Sequence, residues 1–139
     1  MSSSATGEIS QHTADVNGLT LSYLAAGLQN TGPLAICLHG FPDSAHTWRH
    51  LLPRLADAGY RAVAPFLRGY APSSIPADGC FQTAASATDV IALREHLGGD
   101  ERTAIIGHDW GAVITHIAAA HAPQLWGKVV TMAVPPGSA

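Results

Sequence analysis

Apolar and polar positions change their period several times along the chain, and each change marks an element. Residues 8–14 and 19–26 read as two short extended segments joined through Val16-Asn17-Gly18. Asn-Gly between extended runs is a strong hairpin signal, because both residues tolerate the positive φ of a tight turn. Residues 34–38, Leu-Ala-Ile-Cys-Leu, form an unbroken apolar run. Such a run suits a strand covered on both faces, as in a parallel sheet. The period then becomes helical over 44–58, with Ser44 as the cap, Trp48, Leu51, Leu52 and Leu55 as the apolar positions, and Gly59 as the stop. Arg61–Phe66 predicts another strand, and 67–82 a long loop rich in Pro, Ser and Gly. A helix is expected over 83–97, carrying Val90, Ile91, Leu93 and Leu97. Thr103–Ile106 predicts a short buried strand, 111–122 a helix limited by Pro123, and Lys128–Val134 a last strand.

Strand–helix–strand alternation after an N-terminal hairpin predicts an α/β fold with a mostly parallel sheet. Residues 8–139 are read as one domain, and the Ser-rich residues 1–7 as a frayed terminus. The 139 residues suffice to bury about 68–70% of the unfolded surface. Hydrophobic residues make up 47% and charged residues 12%, which excludes a disordered chain. The formal net charge is -3 and the seven basic residues form no run, so nucleic acid is not an expected partner. Neither a signal peptide nor an apolar run of membrane-spanning length is apparent, and Cys37 and Cys80 read as free thiols. A cytoplasmic protein without membrane attachment is expected.

Open parallel sheets place their sites beyond the carboxyl ends of neighbouring strands. Two such ends carry unusual residues: His39-Gly40-Phe41-Pro42, and Gly107-His108-Asp109-Trp110-Gly111. The second has the frame of the sharp strand-to-helix turn Gly-x-Ser-x-Gly, with Asp109 in place of the serine. Gly107 and Gly111 let the chain pass closely on either side of a strained central residue. A carboxylate there needs no base for activation. It can attack an sp³ carbon bearing a leaving group and form an alkyl ester on the enzyme. Hydrolysis of that ester needs a base and donors for an oxyanion; the backbone N–H groups of Trp110 and Phe41 are the expected donors.

His39-Gly40-Phe41-Pro42-Asp43, Arg68-Gly69-Tyr70 and Gly107-His108-Asp109-Trp110-Gly111-Ala112 resemble the α/β-hydrolase superfamily, and most of all its epoxide hydrolases. The resemblance runs from about residue 12 to 137. It implies that Asp109 opens an epoxide, that Phe41 and Trp110 line the oxyanion hole, that a cis peptide precedes Pro42, and that the strands are ordered 1-2-4-3-5-6. His39, Gly40, Pro42, Gly107 and Gly111 would shape the site. Family members run to about twice this length. Their later segments supply a helical lid with proton-donating tyrosines, a base histidine and its acid partner. The chain is therefore expected to be a truncated core that holds a nucleophile and oxyanion hole, with turnover by itself doubtful.

Haloalkane dehalogenases use the same aspartyl ester but usually carry Asn after His-Gly, where this chain has Phe41; that favours an epoxide over an alkyl halide as the small-molecule substrate. A third possibility is a non-catalytic module that pairs with another chain through its exposed sheet edge. His46 and His50 are four apart on a predicted helix, a metal-like spacing, but no third ligand accompanies them. No metal and no cofactor is expected, since no nucleotide-binding glycine frame occurs. None of the eight histidines is expected to replace the base.

Overall fold

The computed structural model describes residues 7–40, 43–75 and 83–132. Expectations for the first six residues, for Phe41 and Pro42, for Cys80 and for the chain beyond Met132 lie outside the described residues.

Six strands form one sheet: β1 (Ser10–Val16), β2 (Leu19–Ala26), β3 (Leu34–Leu38), β4 (Arg61–Pro65), β5 (Ala104–His108) and β6 (Lys128–Met132), in the order β1-β2-β4-β3-β5-β6. The β1–β2 hairpin is closed by Asn17 and Gly18 at φ 51 and φ 74. Two successive positive φ values are the signature of a tight two-residue turn whose twist matches that of the strands. Val16 pairs with Leu19 across it. β2 runs antiparallel to β4, whereas β4, β3, β5 and β6 are mutually parallel.

Helices cover both faces. α1 (Leu51–Asp57) lies on one side; α2 (Thr83–His96) and α3 (Trp110–His121) lie on the other. Leu34, Ile36, Leu38 and Ile105 are completely buried among Val90, Leu93 and Ile114. Cys37, Ala62, Ala64 and Ile106 face the opposite way and pack with Trp48, Leu52 and Ala56. The period-2 alternation of the central strands therefore feeds two cores, which explains why 34–38 could be apolar throughout. Each of these large aliphatic side chains contributes roughly 1.5–3 kcal/mol by leaving water.

The helix expected over 44–58 is divided. Ala45–Trp48 is a 3₁₀ turn capped by the Ser44 side chain, and the α-helix begins only at Leu51. Pro53 is the cause: it has no N–H to donate, and its ring collides with the carbonyl four residues back. It fits only within the first turn, where N–H groups have no helical acceptor in any case. β5 also extends to His108, two residues past the expected end, because Gly107 and His108 continue to pair with β6 at Thr131 and Met132.

The 67–75 segment is stitched to β2 by its serines. Ser73 Oγ accepts the Ser22 N–H at 2.9 Å and donates to the Phe66 carbonyl at 2.6 Å. Ser74 exchanges bonds with both backbone groups of Thr20. The Ala71-Pro72 peptide is cis.

Candidate active site

β3 and β5 are neighbours in register, with Leu38 beside Gly107. Their carboxyl ends therefore deliver His39-Gly40 and His108-Asp109 to the same crevice. Asp109 stands between β5 and α3 at φ 60, ψ -121, a conformation that L residues rarely adopt. Strain of this kind costs of order 1–3 kcal/mol and persists only where the surroundings impose it.

Two glycines impose it here. A Cβ on Gly111 would meet the Leu38 and His39 carbonyl oxygens, the latter at 2.8 Å, so α3 is seated directly on the end of β3. A Cβ on Gly107 would strike the Gly111 backbone and the Thr115 hydroxyl. Thr115 is itself fixed, donating to the Gly111 carbonyl at 2.7 Å. The Asp109 carbonyl accepts from Ala112 N–H at 2.9 Å and Val113 N–H at 3.3 Å and so begins the helix. Its carboxylate makes no capping bond to α3.

The carboxylate faces Gly40, where a Cβ would come within 2.6 Å of Oδ2. Trp110 and Gly111 head α3, where N–H groups lack intrahelical acceptors and the helix dipole favours negative charge. Trp110 is 51% exposed, so its indole is no core residue.

His39 holds the β3 end. It is fully buried, and its Nε2 accepts the Leu67 N–H at 3.1 Å. Nδ1 must then carry the proton, which it donates to the Gly40 carbonyl at 3.0 Å. Both nitrogens are in use by the neutral ring. Burial lowers its pKa, against smaller opposing effects of the Gly40 hydrogen bond and the Asp43 charge. Tyr70 packs edge-on to it with centroids 4.9 Å apart. Burial raises the Tyr70 pKa, and the Asp109 carboxylate adds to the shift, so the phenol senses the same charge.

Beside this crevice lies a cavity of about 250 Å³ walled by Leu67, Tyr70, Trp110 and Ile114, with Thr83 and Ser86 on its α2 side. Arg68 borders it too, but its guanidinium grips Asp89 through Nε at 2.7 Å and through a second nitrogen at 2.8 Å. Asn17 donates to the same carboxylate at 3.1 Å.

Asp109, Trp110, Gly107, Gly111, His39 and Gly40 thus converge, as their strand positions require, while Phe41 and Pro42 lie outside the described residues. Sequence reasoning missed Asp89, and it placed Tyr70 only within the Arg68-Gly69-Tyr70 motif without a contact of its own. Asp89 carried a signal, since a carboxylate on the apolar side of a helix demands a partner. His46 packs against Phe66, and the described residues contain no cluster of metal-ligating side chains. No helix of the described residues is long and apolar enough to cross a membrane.

Residues 33–139 match the family described as alpha/beta hydrolase fold. The chain is 38% identical over 136 residues to an epoxide hydrolase of Caballeronia sordidicola, covering 97% of this chain and 40% of that protein. It is 41% identical over 109 residues to epoxide hydrolase A of Mycobacterium tuberculosis, covering 78% of this chain and 33% of the relative. Epoxide hydrolase A from Mycobacterium thermoresistibile superposes with a TM-score of 0.85 at 39% identity, over 94% of this chain and 40% of that structure. The chain therefore spans about two fifths or less of the length of these relatives. A mostly parallel sheet whose winding reverses between β3 and β5, a strained turn between β5 and α3, and these matches agree: the chain belongs to the alpha/beta hydrolase fold family, with homologues among the epoxide hydrolases.

Proposed function

We propose that Asp109 is the nucleophile of an epoxide-opening site. The observation that carries this reading is the pairing of a positive-φ backbone at Asp109 with a carboxylate that does not cap its own helix and instead faces Gly40. One carboxylate oxygen attacks a ring carbon, the carbon–oxygen bond of the epoxide breaks, and the released oxygen takes up a proton. The product is a hydroxyalkyl ester of Asp109. Water then adds to the ester carbonyl, and the transient oxyanion is met by N–H groups at the start of α3, with Phe41 as the proposed second donor. Collapse releases a diol and restores the carboxylate.

The second half-reaction needs a general base. His39 does not serve: its Nε2 is an occupied acceptor and its Nδ1 an occupied donor. His108 precedes Asp109 on β5, so alternation directs it to the other face of the sheet. We infer that this chain by itself forms the ester faster than it hydrolyses it. Incubation with styrene oxide followed by mass spectrometry tests both points. A persistent adduct on Asp109, absent from Asp109→Asn, is expected; an adduct elsewhere, or none, sinks the proposal. An alkyl chloride in parallel separates epoxide opening from dehalogenation by the same ester route.

A second reading rests on β6. Among the described residues it is an edge strand, and Val129, Val130 and Met132 are 45%, 43% and 39% exposed. An apolar edge of this kind is a template for strand pairing. We propose that it mediates self-association, which a concentration series in sedimentation velocity tests; a single monomer peak throughout excludes it.

A further inference from the structure

We propose that β6 pairs with the β6 of a second copy of this chain, antiparallel about a two-fold axis at Val130, so that two six-stranded sheets join into one. The proposal rests on the reading of β6 as a self-associating edge. What it adds is the partner strand, its direction and its register.

The main chain decides which residues can pair. The Asp109 N–H donates to the Met132 carbonyl at 3.2 Å, so Met132 turns its backbone groups toward β5. Successive residues of a strand point those groups to opposite sides. Lys128 and Val130 therefore also bond inward, while Val129 and Thr131 direct their N–H and C=O groups away from β5. An added strand must meet those two residues.

Register follows from that alternation. With the axis at Val130, Val129 stands opposite the partner's Thr131 and Thr131 opposite the partner's Val129. Each of these pairs exchanges two backbone bonds. An axis between two residues would set an outward-bonding residue against an inward-bonding one. An axis at Val129 or Thr131 leaves part of β6 without a strand residue opposite it. An axis at Lys128 sets two ammonium groups face to face, which is destabilising. Only the axis at Val130 pairs the whole strand, with Lys128 opposite Met132.

The side chains suit this register. Val130 and Met132 share a face with Ile106 and His108, and both are partly exposed. Across the axis Val130 meets its own counterpart, a favourable pair of branched side chains. Met132 lies along the aliphatic stem of the partner's Lys128, whose charge stays in water. The opposite edge of the sheet, β1, is a poorer partner: Gln11, Thr13 and Asp15 are exposed along it. Polar and charged side chains blunt an edge. A β6–β1 joint would also be head-to-tail and would not close, whereas the two-fold closes at two copies. Five residues a side make a small contact, so the dimer is weak and reversible.

The test uses the full chain with Cys80→Ser, since Cys37 is buried. Val130→Cys should form a disulfide dimer on copper-catalysed oxidation, because opposed residues of a non-hydrogen-bonded pair have Cα atoms about 4.5 Å apart. Val129→Cys should cross-link at least about tenfold more slowly, because its counterpart is displaced by two residues, roughly 7 Å along the strand. Thr131→Pro removes an outward N–H and spares the ladder to β5, so it should keep the parental circular dichroism and lose the dimer in sedimentation velocity. Val130→Lys, which sets two charges opposite each other, should lose the dimer as well and covers the case of a proline variant that does not fold. A monomer at every concentration from about 10 µM to 1 mM overturns both this proposal and the reading beneath it. A dimer that cross-links through position 129 as fast as through 130, or that survives Val130→Lys, overturns the register and leaves self-association standing.

Discussion

Gly40 and Asp109 are in such close contact that a Cβ at position 40 would stand 2.5 Å from the Asp109 Cβ and 2.6 Å from its Oδ2. Gly40→Ala must push the carboxylate, the β3 end, or both out of place. Displacements near 1 Å at a reacting group cost on the order of 100-fold in rate. We expect that loss in the rate of ester formation, with about 1–3 kcal/mol of destabilisation from overpacking. Time-resolved mass spectrometry and urea denaturation read the two effects; an alanine variant that reacts at the parental rate contradicts the placement.

Asp109 pays for its position in backbone strain. Replacing it with glycine, which adopts positive φ without steric cost, should raise stability by about 1 kcal/mol while removing the adduct. The opposing changes in melting temperature and reactivity form the prediction. A glycine variant less stable than the parent indicates that the aspartate side chain supports the fold by more than its backbone costs.

Arg68 and Asp89 form a buried bidentate pair. Asp89→Ala removes the carboxylate that grips the buried Arg68 guanidinium, and breaking a buried pair from one side costs about 3–5 kcal/mol. Against a total stability of about 5–15 kcal/mol, that is a severe loss. The Asp89→Ala, Arg68→Met double variant should be more stable than Asp89→Ala alone, because the buried guanidinium leaves together with the carboxylate that held it. Denaturation midpoints across the cycle decide; strict additivity of the two substitutions rules out the coupling.

Burial lowers the pKa of His39, so folding favours the neutral ring. The unfolded chain then binds more protons than the folded one below the ordinary histidine value of about 6.5. The stability linked to His39 is fully present above that value and is lost as pH falls through the lowered folded value. Urea midpoints should therefore fall from pH 7.5 to pH 5. His39→Gln, which cannot titrate, should flatten that part of the profile, and an unchanged slope would show that other groups set it.

Much of the scaffold was readable because its causes are local. Asn17-Gly18 fixes the hairpin, the apolar run at 34–38 requires covering on both sides, and Gly107 and Gly111 frame the turn within five residues. The order of strands came from family resemblance and holds in the sheet. What escaped reading is non-local. Arg68, Asp89 and Asn17 meet across as many as 72 positions of sequence, and no periodicity encodes such a meeting. The cavity beside Trp110 becomes visible only when α2, α3 and the 67–70 loop come together. The divided helix has a local cause as well: Pro53 sets where the α-helix can begin, whatever apolar spacing surrounds it.

The tight passages of Gly107 and Gly111 against Thr115 and the β3 end are made by main chain and by a threonine one turn away, with the residue between them serving as cargo. The architecture therefore separates the socket from the tool. Installing serine or cysteine at position 109 keeps the socket and changes only the group that it presents. A single codon is enough to exchange that group, because the close contacts of Gly107 and Gly111 are made with main chain and with Thr115 and not with the side chain at 109.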